Sequence, residues 1–377
     1  MGREYDIQLL DIVLAAAAAN RMRHEPVWLM IVGGSGTGKT EVAKSLVGIG
    51  AHIVSTIHSE GALLSASKKE GKEGSGTGGL LKEVGPDAIV VLKDFTSILS
   101  MPERGQRPLI LAALREIHDG NWIRKVGVDG GRSIPWKGHL GIIGCCTTAW
   151  DMAHTAIAAM GDRFTVVRIN SRDMDYRLAA GAQAMANLGK EKEMAYELKE
   201  AVRYVLEKTG PHCKPVELPS AINDVILQAC NIAASARTPT EHDHRGKTEF
   251  SHDPEAPTRL PRSLMQLMQG AITLGIPLDQ AFNMAIRCIR DSISTIRLEC
   301  LDYMSRNADC TVSDIAYGLQ RPWNAVDKAI QALFSANMLT TERIGKGKDG
   351  KSVVCYNLRP KLDISVLWTK ASLASTD

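Results

Sequence analysis

Residues 31–40 read Ile-Val-Gly-Gly-Ser-Gly-Thr-Gly-Lys-Thr, and the rest of the chain is best read outward from them. Gly33, Gly38, Lys39 and Thr40 fill every fixed place of the pattern G-x-x-x-x-G-K-[ST]. The apolar run Val27–Val32 ahead of it predicts a strand, and the residues behind it predict a helix. Between the two, Gly33, Gly34, Ser35, Gly36, Thr37 and Gly38 let the backbone curl so that successive N–H groups face a phosphate. Lys39 adds a point charge, and the Thr40 hydroxyl suits Mg²⁺. ATP and Mg²⁺ are therefore the expected ligands. A second glycine run, Gly74–Gly79, has no Lys-Thr behind it and lies near Lys68, Lys69 and Lys72, so it reads as a flexible loop.

Up to about Asn170, strand-like apolar runs alternate with helical patterns, as a parallel α/β sheet requires. The runs are Trp28–Val32, His52–Ile57, Ala88–Leu92, Leu140–Cys146 and Thr165–Ile169. The third ends in Lys93-Asp94, which delivers a carboxylate to the end of a strand, where α/β sheets put their chemistry. Asp94 is the expected second metal ligand beside Thr40. Leu111–Gly120 reads as a helix, and Trp122–Lys137 as a hairpin about Asp129-Gly130. Arg124, Lys125, Arg132 and Lys137 make that hairpin basic.

This order of elements resembles the AAA+ ATPases, and the inserted hairpin resembles their subgroup of RuvB-type motors, MCM helicases and enhancer-binding proteins. The resemblance implies a "sensor 1" residue after the fourth strand, here Thr147 of the pair Thr147-Thr148. It implies an arginine finger at Arg163, within Gly161-Asp162-Arg163-Phe164, acting on the nucleotide of the next subunit. It also implies a helical lid over 171–290 with a "sensor 2" Arg262 in Arg259-Leu-Pro-Arg262-Ser-Leu-Met. A ring or filament of subunits follows from such a finger. One place departs from the family: the glutamate usual after the Walker B aspartate is Phe95, which accepts no proton. Glu60, after the second strand, is the substitute base, with Glu116 as the next candidate. The hairpin reads either as a DNA contact or as packing between subunits, and residues 237–259 read as an irregular excursion.

Residues 291–377 change character. Ile293–Met304 reads as a helix, Thr311-Val-Ser-Asp314 as a capping box opening a helix through Leu319, and Trp323–Met338 as a second helix after Arg321-Pro322. Two strands, Leu339–Ile344 and Ser352–Leu358, complete a winged-helix pattern resembling bacterial regulators. Between Glu342 and Lys361 stand Arg343, Lys346, Lys348, Lys351, Arg359 and Lys361, a charge suited to a phosphate backbone. Trp323, Asn324, Lys328 and Gln331 are the expected base-reading residues of the second helix. Winged helices also dock proteins, and that alternative stays open.

The fold expected is thus α/β, a P-loop NTPase parallel sheet (1–170) with a helical lid (171–290) and a C-terminal winged helix-turn-helix domain (291–377). A net charge of +3 over 377 residues argues for no nucleic acid by itself, so the DNA reading rests on local patches. Eight cysteines without a C-x-x-C pair suit reduced thiols and a cytoplasmic location. Leu9–Ala19 is apolar but contains Asp11 and runs almost directly into the phosphate-loop strand, so it reads as a core helix and not as a leader or a membrane segment. The function expected is an oligomeric ATPase acting on DNA. A nucleotide-switched DNA-binding regulator is the alternative, favoured by Phe95. A protein remodeller fits less well, because 60–87 contains no aromatic residue.

Overall fold

The structure is a computed structural model that describes residues 6–22, 24–65, 78–127, 131–153, 157, 160–209, 217–243, 248–346 and 352–370. The chain is α/β and divides into two compact units, one of Met1–Glu217 with Arg262–Met284, the other of Leu218–Pro261 with Ala285–Asp377. The segment expected as a lid is thereby shared between them.

In the first unit the chain runs through α1 (Ile7–Ala19), β1 (Trp28–Val32), α2 (Lys39–Lys44), β2 (His52–Val54), α3 (Glu60–Leu63), α4 (Leu80–Val84) and β3 (Asp87–Leu92). It continues with α5 (Thr96–Leu99), α6 (Gln106–His118), the hairpin β4 (Asn121–Val126) and β5 (Arg132–Lys137), β6 (His139–Cys146), β7 (Phe164–Arg168), α7 (Met174–Ala186) and α8 (Glu191–Lys208). Five strands form one sheet in the order β2-β3-β6-β1-β7, and every neighbouring pair is parallel. All carboxyl ends therefore share one edge. Val32 stands between Cys146 and Arg168, so the loops that follow these strands emerge side by side.

The five apolar runs are all strands, with small shifts at their ends. The second is shorter than expected, because Ser55 and Thr56 leave the sheet after Val54. The hairpin forms in the register Trp122 opposite Trp136, while its turn at Asp129-Gly130, like residues 74–77 of the glycine run, lies outside the described residues.

Burial of β1 is complete, from Trp28 to Val32. On one side it is backed by α1, whose Leu9, Ile12, Val13 and five consecutive alanines, Ala15–Ala19, are buried, as expected for a core helix. Asn20 locks the turn between α1 and β1: its Nδ2 donates to the Val27 carbonyl and its Oδ1 accepts from the Val27 N–H, both at 2.8 Å. Among the described residues no helix is long and apolar enough to cross a membrane.

The second unit contains α9 (Ser220–Ala236), β8 (Thr240–His242) and β9 (Thr248–Ser251). The chain then enters α10 (Arg259–Thr273) and α11 (Leu278–Ser292), each of which belongs partly to both units, and finishes with α12 (Thr295–Arg306), α13 (Val312–Leu319), α14 (Trp323–Ser335), β10 (Leu339–Lys346) and β11 (Ser352–Leu358). The excursion expected over 237–259 is in part ordered: β8 and β9 pair antiparallel, a pairing the sequence hid because Thr-Glu-His and Thr-Glu-Phe-Ser carry no apolar alternation.

Within the first unit Gly270 of α10 meets α1 so closely that a Cβ there would lie 2.1 Å from the Ala15 carbonyl oxygen and 2.9 Å from the Ala19 nitrogen. Backbone cannot yield as a flexible side chain would. Gly270→Ala is therefore expected to destabilise the protein by about 1–3 kcal/mol, read as a lower midpoint in chemical denaturation. An unchanged midpoint would mean that the two helices do not meet at this spacing.

Candidate functional site

The site is built on the carboxyl edge of the sheet. β1 delivers Gly33, whose N–H bonds the Cys146 carbonyl at 3.1 Å, and the loop then turns through Gly36 and Gly38, both at φ +77°. That left-handed backbone is what glycine provides at no steric cost. The Thr37 hydroxyl donates to the Gly34 carbonyl at 2.9 Å and the Lys39 ammonium donates to the same oxygen at 2.7 Å, so both close the loop from inside. α2 starts at Lys39 with Gly38 as its cap and no side chain on its first N–H groups. An anion fits there, because the donors are oriented and unclaimed by a capping side chain.

Lys39 is buried, although a lone ammonium is costly to desolvate. Burial holds it below the usual lysine range, while Cys145, Cys146 and Asp94 act in the opposite direction. Burial also pushes the Cys145 thiol up to about 12, against the pull of Lys39 and of a hydrogen bond from Thr40. Both cysteines are thus neutral neighbours, and Asp94 is the carboxylate that faces the lysine.

Asp94 follows β3 and is exposed. Its backbone N–H bonds the Ser55 carbonyl at 3.1 Å, and its Oδ1 accepts from the Ser97 N–H at 3.3 Å, which fixes the carboxylate at the start of α5. Thr147 follows β6, and its hydroxyl accepts from Thr96 Oγ1 at 3.3 Å and from the Ala149 N–H at 3.3 Å. The structure therefore brings Lys39, Thr40, Asp94 and Thr147 to one edge. Phe95 is buried among Trp150 and Phe164, with ring centroids 6.1 and 5.5 Å away, and serves the core.

Sequence reasoning missed Arg168 and Asp151, which form a two-pronged ion pair on this edge with N–O distances of 2.8 and 2.7 Å. Arg168 ends β7 directly beside Val32. A charged residue closing an apolar strand was the available signal.

Other expected members lie elsewhere. Glu60 opens α3 and sits 3.5 Å from the Arg124 guanidinium, which also donates to the Leu64 carbonyl. The expected base is therefore paired with the hairpin, and Arg124 is turned inward. Glu116 is exposed on α6. Arg163 is buried at the opposite, amino edge of the sheet, where it donates to the Met160 carbonyl and to Asp119, each at 2.8 Å. An arginine finger must project into a neighbour, whereas this one is engaged within its own chain. Arg262 pairs with Glu25 at 2.8 Å, ahead of β1. The length of β1, about 16 Å at roughly 3.3 Å per residue, separates that pair from the loop, so the structure does not bring Arg262 to the glycine loop.

In the second unit Trp323, Asn324 and Lys328 are exposed on α14, and Arg343 is exposed on β10. Gln331 is not available: its Oε1 accepts from the Thr248 N–H and hydroxyl at 3.1 and 3.0 Å, and its Nε2 donates to Asp327. The overlooked strand β9 occupies it. The side chain of Lys346 and all of Lys348 and Lys351 lie outside the described residues.

Compared with known proteins, the chain matches no protein-family model and no curated sequence.

Arg163→Ala is expected to lower stability by about 1–3 kcal/mol through the loss of the buried guanidinium's bonds to the Met160 carbonyl and to the exposed Asp119, seen in chemical denaturation, with nucleotide affinity unchanged in the folded variant. Undiminished stability combined with lost turnover, restored by mixing with Lys39→Ala subunits, would support the finger.

Proposed function

We propose that this chain is a P-loop ATPase of the AAA+ type that acts on DNA through a C-terminal winged helix. The observation that carries the nucleotide reading is the buried Lys39, closing a loop of two left-handed glycines beside Asp94 and Thr40. A buried lysine at the mouth of a helix suits the charge of β- and γ-phosphates. On binding, its ammonium would exchange the Gly34 carbonyl for phosphate oxygens. No cluster of three His, Cys, Asp or Glu that could hold a metal occurs among the described residues. Mg²⁺ in this reading arrives with the nucleotide and takes Thr40 and Asp94 as its protein ligands, as suits an ion that keeps most of its water and phosphate oxygens. In this reading Thr147, at the end of the strand between β1 and β3, orients a water.

The DNA reading rests on the second unit alone. α13 opens with the expected capping box between Thr311 and Asp314, and Gln320 at φ +50° turns the chain into α14. Arg321 in that turn grips Glu299 of α12 with two bonds of 2.9 and 2.7 Å. Cys310, just ahead of α13, pairs with Tyr356 of β11 through both backbone bonds, which adds a short third strand to the β10–β11 hairpin. A helix, a short strand at Cys310, two further helices and a hairpin, in this order, support a winged helix with α14 as the reading element.

A second reading is favoured by Phe95 and Glu60 together. With the first in the core and the second paired to Arg124, hydrolysis is slow, and ATP acts as a switch on a DNA-binding regulator. ATP turnover with and without single- and double-stranded DNA separates the two. DNA-stimulated turnover supports the motor; nucleotide-dependent DNA binding without turnover supports the switch.

Lys39→Ala is expected to weaken ATP binding by about 2–3 kcal/mol, the range for charge-assisted contacts, and to abolish turnover. Calorimetry showing near-normal affinity in a folded variant would remove the loop as the site. Lys328→Ala with Arg343→Ala should weaken binding to all duplexes alike and lower the salt slope by about 0.9 per lost phosphate contact. An unchanged slope would make the second unit a protein-docking module.

A further inference from the structure

The forked bond between Arg168 and Asp151 spans the root of the glycine loop. β6 and β7 flank β1, and Val32 stands between Cys146 and Arg168. Where the chain leaves β1 it is held on both sides: the Gly33 N–H bonds the Cys146 carbonyl at 3.1 Å, and the Ile169 N–H bonds the Val32 carbonyl at 2.9 Å. A Cβ on Gly33 would lie 3.2 Å from the Ile169 Cβ, so the residue after Arg168 packs directly on the loop. From Cys146 the chain passes into Thr147, which caps a 3₁₀ helix of five residues, Thr148–Met152. Asp151, near the far end of that helix, reaches back to Arg168 with both carboxylate oxygens, at 2.8 and 2.7 Å. These bonds close a ring that runs from the loop root through Thr147 and Asp151 to Arg168, Ile169 and the loop root again.

We propose that Arg168 and Asp151 are positioning residues, whose forked bond sets the Thr147 hydroxyl relative to the glycine loop and so sets the water that Thr147 orients. This rests on the ATPase reading; neither residue touches the nucleotide in this role. On its near side Thr147 is fixed by Thr96, whose Oγ1 accepts from the Thr147 N–H at 2.9 Å. On its far side the short helix has poor hydrogen-bond geometry of its own. Trp150 anchors that helix in the core, with ring centroids 6.1 Å from Phe95 and 5.9 Å from Phe164. Apolar packing is non-directional, whereas a two-pronged bond between planar groups fixes direction as well as distance. Arg168→Lys keeps the charge and gives up the fork, so the two side chains are not interchangeable here. A water held ~1 Å from its line of attack costs roughly 10²-fold in rate.

In the full chain Arg168→Lys and Asp151→Asn should each lower kcat by ~10²-fold, with ATP affinity unchanged in calorimetry because the contacts of Lys39 are untouched. Thr147→Val should lose as much. Arg168→Lys combined with Thr147→Val should lose no more than either alone, since groups that act as one unit are not additive; independent residues would multiply to ~10⁴-fold. A second measurement needs no turnover: amide hydrogen exchange of residues 147–152 should quicken in Arg168→Lys while β1 and β6 keep their protection. Unchanged exchange over 147–152, an unchanged kcat in Arg168→Lys where Thr147→Val loses turnover, or multiplied losses in the double variant would each overturn the proposal and leave the ATPase reading standing. A wild type without turnover, or Thr147→Val with full kcat, would overturn the use of Thr147 in that reading and the proposal with it.

Discussion

Everything in the first unit is referred to one buried strand. β1 has no residue at the surface and is paired on both sides, so its only free end is the carboxyl one, where the chain must turn. Burial on both faces demands apolar residues at every position, and the hydrogen bonds of β6 and β7 satisfy its backbone. The Asn20 clamp on Val27 sets where the strand begins, and the bond from the Gly33 N–H to the Cys146 carbonyl sets where the loop leaves it. The glycines, Lys39 and Thr40 take their positions from those two points.

The two edges of the sheet differ in chemistry as a result. On the amino edge the charges are paired: Arg163 bonds Asp119 and the Met160 carbonyl through its two terminal nitrogens, and Arg262 pairs with Glu25. His118 stands edge-on to Trp28 at 4.9 Å, and burial holds its imidazole below the usual range, so it is neutral there. On the carboxyl edge the groups are offered: Asp94 is exposed, the first N–H groups of α2 carry no cap, and Lys39 has a carbonyl where an anion would serve it better. Arg168 and Asp151 border that edge as a closed pair. The asymmetry is what supports a ligand site on one edge and a structural role on the other.

The second unit uses its polar groups to hold elements together in the same way. Arg321 ties the α13–α14 turn to α12, and Gln331 ties α14 to β9. What remains outward on α14 is Trp323, Asn324 and Lys328, a smaller set than the helix pattern offered. α7 presents the opposite case, since none of its residues is buried.

The strands, α1, the glycine loop after β1, the position of Asp94 and the capping box at Thr311 were legible in the sequence, because each is decided locally. Continuous apolar runs must be buried, glycine is needed where φ is positive, and a capping box closes within four residues. Which arginine meets which carboxylate was not legible. Arg163 with Asp119 and Arg168 with Asp151 are 44 and 17 residues apart, and Arg262 finds Glu25 across most of the first unit's length. Order along the chain placed Arg163 and Arg262 near a phosphate; the packing of α6 and β7 and the docking of α10 on α1 placed both on the other edge. Gln331 was lost to a strand too polar to be seen in sequence. Local chemistry is written in neighbouring residues, whereas the partner of a long charged side chain depends on how distant elements pack, and only the tertiary structure decides that.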